Sequence, residues 1–284
     1  GDIDGGVVDF SNSATVPDGI SFDPAAPVFG GSVLTFPGTI LVPSVTQDGA
    51  DTDQMTQEFR ISSNDAERFN WQIGAFYFRS DLVVTTDSFA SFGFVDVQDT
   101  KIQQENDTWA VFGQGSWDLT DRLNLTAGVR YTDDEKDFQV LQFGQLWLDL
   151  GIPTFLAAPI NVDDGQLSWE LSANYAFTDN ASLYARVANG FRAQTIQGRD
   201  VAFLETPTVA RPETIDSIEA GVKADFWEGR GRLNFAVFHY EVDDMQLSII
   251  GGATNTNQVV NAETGEASGY ELEADFLLTD YFLV

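Results

Sequence analysis

From Leu167 to Thr178 the chain reads Leu-Ser-Trp-Glu-Leu-Ser-Ala-Asn-Tyr-Ala-Phe-Thr, with large or apolar residues alternating with small or polar ones at every step. A period of two is that of an extended strand, so Leu167, Trp169, Leu171, Ala173, Tyr175 and Phe177 share one face and Ser168, Glu170, Ser172, Asn174 and Thr178 the other. Strands of soluble domains run about 5 or 6 residues, whereas a strand tilted by about 45° needs about 9 to 11 to cross a bilayer. This segment is long enough to cross. At about 3.3 Å per residue it extends ~40 Å, and tilting brings its height near the roughly 25 Å of an outer-membrane apolar band. Trp169 and Phe177 fall near its two ends, as aromatic girdles require.

Other segments repeat the pattern. Phe69, Trp71, Ile73, Ala75 and Tyr77 oppose Asn70, Gln72 and Gly74; Leu123, Leu125, Ala127, Val129 and Tyr131 oppose Asn124, Thr126, Gly128 and Arg130. Ile218, Ala220, Val222, Ala224 and Phe226 oppose Ser217, Glu219, Gly221, Lys223 and Asp225, and Tyr270, Leu272, Ala274 and Phe276 oppose Glu271, Glu273 and Asp275. Between Thr108 and Trp117 neither face wins, because Trp109, Val111 and Trp117 compete with Ala110 and Phe112. Extended segments come in pairs joined by short polar turns at Ser62–Arg68, Asp118–Arg122, Thr178–Ala181 and Trp227–Arg232. The intervening connections, 81–107, 133–166, 193–213 and 243–266, are long and rich in Asp, Gly, Thr or Pro. Short turns at one edge and long loops at the other describe a transmembrane barrel, with periplasmic turns and extracellular loops.

Residues 1–53 lack this rhythm and read as an irregular extracellular loop or the remnant of a preceding region; residues 54–284 read as the barrel section. No run approaches 18 uncharged apolar residues, which excludes a membrane-crossing helix and leaves a barrel open, since a barrel hides its apolar face in alternation. The chain carries 44 Asp and Glu against 14 Lys and Arg, a net charge of −30, which argues against nucleic acid as a partner. With no cysteine, neither a disulfide framework nor a thiolate metal site is available. The single histidine, His239, reads as a packed or lumen residue, and Gly113-Gln-Gly115 as close-packing points on a strand. No nucleophile elbow, phosphate-binding loop or zincin motif occurs, and the chain is not expected to be an enzyme.

The runs Gln54-Met-Thr-Gln-Glu-Phe-Arg-Ile-Ser-Ser63 and Phe69-Asn-Trp-Gln-Ile-Gly-Ala-Phe-Tyr-Phe78 resemble the barrel of TonB-dependent outer-membrane receptors. The same holds for Ala110-Val-Phe-Gly-Gln114, for Asp118 to Tyr131, for Arg211 to Lys223, for Asn234 to Tyr240 and for Gly269-Tyr-Glu-Leu-Glu273, in that order. The resemblance implies an all-β, antiparallel transmembrane β-barrel of about 22 strands in the Gram-negative outer membrane, of which about ten would be here. It implies import of a scarce small-molecule nutrient, such as an iron chelate, cobalamin or oligosaccharide. It also implies a plug domain and a TonB coupling box, which this chain does not contain, so the TonB complex would act through a plug outside it. Two other readings are a passive outer-membrane porin and a soluble secreted β-rich binding module.

If these frames hold, Arg130, Glu170, Glu219 and Lys223 point into the lumen, to meet a plug or to line a substrate route. Trp71, Tyr131, Trp169, Tyr175, Phe177 and Phe226 would anchor the wall in lipid. Asp133 and Asp134, Asp163 and Asp164, and Asp243 and Asp244 fall where strands meet long loops. They read either as solvated rim charge or as oxygen ligands for Ca²⁺ bridging lipopolysaccharide; no other cofactor is expected.

Overall fold

The computed structural model describes residues 34–36, 39–41, 45–64, 68–90, 95–142, 157–198, 201, 206–251, 256–279 and 282–283. They form sixteen strands: β1 Leu34–Phe36, β2 Thr39–Leu41, β3 Val45–Ser62, β4 Phe69–Ala90, β5 Val95–Thr120, β6 Leu123–Gln142, β7 Ile160–Thr178 and β8 Ala181–Arg192. Then follow β9 Thr195–Gln197, β10 Thr208–Ala210, β11 Glu213–Phe226, β12 Gly231–Asp243, β13 Gln246–Gly251, β14 Thr256–Asn261, β15 Thr264–Thr279 and β16 Phe282–Leu283. Ten of them make one sheet in the order β3-β4-β5-β6-β7-β8-β11-β12-β15-β16, every neighbouring pair antiparallel. The pairs β1–β2, β9–β10 and β13–β14 are separate two-stranded ribbons.

The register carries one face across the whole wall. Trp71 pairs with Gly115, Gly115 with Ala127, Ala127 with Leu171, Leu171 with Val187, and Val187 with Ile218. Since paired residues point to the same side, the apolar face is continuous across six strands. Between Thr108 and Trp117 the register decides what the pattern does not: Trp109, Val111 and Trp117 take the apolar side with Tyr77, Ala75 and Phe69, while Phe112 faces the other way with Gly74. The ambiguity came from Gly113 and Gly115, which leave two apolar-side positions without a side chain.

Two levels of aromatic residues bound the apolar band. Phe69, Trp117, Tyr175, Phe226 and Phe276 stand at the short-turn end, and Tyr77, Trp109 and Tyr131 at the other, with the Trp109 and Tyr131 rings 5.5 Å apart. Trp109 and Trp117 are eight residues apart on one strand, ~26 Å along it, or roughly 20 Å in height once tilted, close to the apolar height of an outer-membrane barrel. At the turn between β11 and β12, Trp227, Glu228 and Gly229 have φ of 53°, 56° and 82°. Trp227 offsets that strain by packing its ring edge-to-face on Phe226, 5.4 Å between centroids, and tilted against Phe276 at 5.9 Å.

The strands do not stop at the upper girdle. The stretch read as a connection from 81 to 107 is mostly strand, β4 continuing to Ala90 and β5 starting at Val95, and β6 and β7 likewise extend through 133–142 and 160–166. Above the girdle the two faces exchange polarity. On the side that carried Trp71 and Tyr77 now stand Arg79 and Asp81, paired with Asp107 and Glu105; on the opposite side stand Leu82 and Val84, near Ile102. The segment read as irregular from 1 to 53 carries the ribbon β1–β2 and joins the wall as β3 from Val45, and its first thirty-three residues lie outside those described.

Glycines on the wall are covered by rings from the next strand. A Cβ on Gly221 would meet the Tyr184 ring at 2.5 Å and the Phe235 carbonyl oxygen at 2.6 Å, and one on Gly74 would meet Phe112 at 2.3 Å and the Phe59 carbonyl at 2.7 Å. Ring-over-glycine pairs fix the register, because a slip of one residue drives a ring into a side chain. Gly221→Val is expected to lower the unfolding midpoint of the full-length protein, by about 1–3 kcal/mol of strain, in a heat-modifiability gel. Gly49→Ala, with nothing within 4 Å of its added carbon, is expected to leave it unchanged.

Candidate functional site

The polar face between the girdles is an array of paired charges. Arg186 Nη2 donates to Glu170 Oε2 at 2.8 Å, and Arg60 pairs with Glu58 on its own strand. The Tyr184 hydroxyl donates to Glu219 Oε1 at 2.6 Å, while the Lys223 ammonium lies 5.3 Å from the Tyr184 ring centroid. Arg130 sits on the ring faces of Phe76 (5.2 Å) and Phe112 (5.7 Å) and donates from Nε to Thr132 Oγ1 at 3.0 Å. Charges tolerated on this side of the sheet imply water or polar protein against it, never hydrocarbon.

Above the girdle the same side first carries Ser80, Asp134 and Lys136 and then an apolar patch. Leu82, Val84, Ile102 and Phe138, with Thr86, Thr100 and Gln104, line a cavity of about 260 Å³ that Ile196, Gln197 and Gly198 border. Phe138 is 3% exposed, its ring against Gly198. The outer side at this level is acidic but knitted by amides, with Gln103 Nε2 donating to Asp81 at 2.8 Å and Asn161 Nδ2 to Asp137 at 2.9 Å. There Arg79 is flanked by Asp107 and Glu105, whose charges raise its pKa above the ordinary value. A buried Gln246 ties the bases of the long connections together: its Nε2 donates to the carbonyls of Ala193 and Arg211, both at 2.9 Å, its Oε1 accepts from Thr195, and its backbone N–H donates to Glu213.

Arg130, Glu170, Glu219 and Lys223 share this polar face, and Trp71, Tyr131, Trp169, Tyr175 and Phe226 share the opposite one. Phe177 stands at a bulge where the register of β7 on β8 slips between Ala176 and Thr178. The acidic runs do not act as clusters. Asp133 and Asp163 lie on the outer side, beside Gly165 and Glu135, whereas Asp134 and Asp164 pair with each other on the inner side, Asp134 being engaged by Lys136 and Thr108. Asp243 accepts from Thr264, and Asp244, in a turn, pairs with Arg211. Among the described residues no three His, Asp or Glu converge on one point. His239 is not on the lumen side: it pairs with Ile218 and Ser268 on the outer face, its Nδ1 2.8 Å from Ser268 Oγ.

Sequence reasoning missed Arg186 and Tyr184, although their parity against Leu183, Ala185 and Val187 was available. It missed Gln246 for lack of any signal, since a hub bonded to residues over thirty positions away leaves no local trace.

A wall with two aromatic levels, a charged inner side and strands that outrun the bilayer is a section of an outer-membrane transport barrel. Residues 10–283 match the family model described as TonB dependent receptor-like, beta-barrel, and the chain belongs to that family. The pesticin receptor of Yersinia pestis is 30% identical over 168 residues, which are 59% of this chain and 23% of that receptor. The solved structure of the ferric yersiniabactin uptake receptor FyuA from Yersinia pestis aligns with a TM-score of 0.65 at 21% identity, over 85% of this chain and 35% of that one. The copper transporter OprC aligns at 0.59 and 18%, over 82% and 36%. The chain thus spans about a third or less of the proteins it matches. Membership of the family places it in the Gram-negative outer membrane as a non-enzymatic barrel, and the soluble-module and passive-porin readings gain no support.

Gln246→Ala removes three side-chain hydrogen bonds at the base of the loops, worth about 1–3 kcal/mol locally. Limited proteolysis of the full-length protein is expected to cut within 246–261 several times faster, with the barrel left resistant.

Proposed function

We propose that this chain is wall and mouth of a TonB-dependent receptor that imports an iron chelate. The charged side faces the lumen and a plug domain elsewhere in the protein; the long-connection end opens outside the cell. Asp, Glu and Lys side chains at the rim meet lipopolysaccharide and solvent, and energy comes from the TonB complex through the plug. The exchange of polarity at the upper girdle carries the reading. A barrel that passes water and ions has no use for an apolar patch inside its mouth, whereas a receptor that captures a partly apolar chelate does. The names of the ferric yersiniabactin and ferric citrate proteins among the structural matches favour an iron chelate, while the copper transporter among them shows that the fold alone does not set the cargo.

In iron-starved cells, uptake of radiolabelled ferric chelate is expected to depend on this receptor and to stop when a protonophore collapses the inner-membrane gradient; uptake that survives the protonophore points to a passive channel. Leu82→Ala is expected to raise the half-saturating chelate concentration severalfold at unchanged surface level, since a ligand that covers this half-buried side chain gains part of the roughly 1.5–3 kcal/mol of full burial. Orientation is tested by single cysteines from 167 to 175. Even positions are expected to react with a hydrophilic thiol reagent and odd positions to resist it.

A further inference from the structure

Among the described residues Arg130, unlike Arg60 and Arg186 beside it on the polar face, has no carboxylate partner. Arg186 takes Glu170, and Arg60 takes Glu58, so each of those cations is neutralised within the wall. Among the described residues Arg130 has only Thr132 and the two phenyl faces. All five charges line one depression of about 380 Å³, where three cations, Arg60, Arg130 and Arg186, stand against two carboxylates, Glu58 and Glu170. In a chain of net charge −30 this is a locally positive spot. The rings of Phe76 and Phe112 hold the guanidinium, and its Nε is used on Thr132, which leaves both terminal nitrogens of the fork without a hydrogen-bond partner among the described residues. A fork held in this way is the donor set for one carboxylate, bound through two parallel N–H···O bonds. Ser168, the register partner of Arg130 on β7, offers a hydroxyl beside it, and Gln72 and Gln114 line the same depression with amides.

We propose that this depression is a carboxylate-docking site on the inner wall, with Arg130 as the residue that receives the anion. The proposal rests on the reading of this face as the lumen side. The carboxylate comes either from a free small molecule or from a polypeptide segment filling the lumen, and the two sources separate experimentally.

The test uses the full-length receptor in native outer membranes with Ser168→Cys, this chain having no cysteine of its own, and the receptor without that change as the background control. Anionic and cationic thiosulfonates of similar size are compared, with and without citrate. At the ~5 Å between paired side chains, the uncompensated charge is expected to favour the anionic reagent about tenfold, and Arg130→Gln to bring the ratio to about one, with Arg130→Lys retaining most of it. Citrate that slows the anionic reagent only when Arg130 is present assigns a free carboxylate. A thiol closed to both reagents with Arg130, and opened by Arg130→Gln, assigns a carboxylate of the lumen-filling polypeptide. Equal rates for both reagents, unchanged by Arg130→Gln, overturn the docking site. A failure of the lumen reading looks different: a thiol at Val129 then reacts with the hydrophilic reagents while one at Ser168 does not.

Discussion

The antiparallel ladder is the constraint on which everything else depends. Inside a bilayer no water is present to satisfy a backbone N–H or C=O, so each strand is obliged to bond to its neighbours, and the bonding fixes register. Once register is fixed, the side of every side chain follows from parity. The pairing Trp71–Gly115–Ala127–Leu171–Val187–Ile218 therefore determines both the lipid-compatible surface and, by subtraction, the row in which Arg130, Arg186 and Glu219 stand. A single slip of β3, β6 or β8 would place Arg60, Arg130 or Arg186 in hydrocarbon. Rings seated over Gly74, Gly221 and Gly269 oppose such a slip at positions where the backbone has no side chain of its own.

How much of this was legible in the sequence follows from the same parity. Along 167–176 every position alternates, and the faces read there are those of the structure. Along 108–117 two glycines removed the apolar markers, and only the neighbours on β4 and β6 restore the frame. Beyond the upper girdle alternation persists with its meaning reversed, so Asp81, Glu105 and Asp107 looked like loop residues when they are the solvent side of strands. Phe138 and Gln246 carry the mouth of the barrel through contacts with Gly198, Ala193 and Arg211 on other elements, and local pattern has no access to such pairs.

The distribution of charge gives the acidity of the chain a physical role. Above the girdle, carboxylates on the outer side share amide donors from Gln103 and Asn161, which lets them stand close without a counter-cation in every gap. Between the girdles, charge is confined to the inner side, and most of its cations, Arg60, Arg186 and Arg232, each take a carboxylate on the wall. The exceptions there are Arg130 and Lys223, both held on aromatic faces, which stabilise a cation without cancelling its charge. A cation kept in this way remains available to a partner from outside the wall.

Exposure along the apolar face shows why the wall needs more strands than these. In the middle of the sheet Trp71 and Trp169 are 38% and 41% exposed, their flanks covered by residues on both neighbouring strands. Toward the two margins the values climb, to 70% for Phe59 on β3 and 75% for Tyr270 on β15. The free margin of β3 also presents the unpaired N–H and C=O groups of an 18-residue strand. In hydrocarbon each such group costs several kcal/mol, and no side chain of the described residues turns to meet them. The remedy available to a barrel is a further strand on each side until the sheet closes on itself. A ten-stranded segment matching about a third of a solved receptor is therefore an arc whose two margins demand the remainder of the circle.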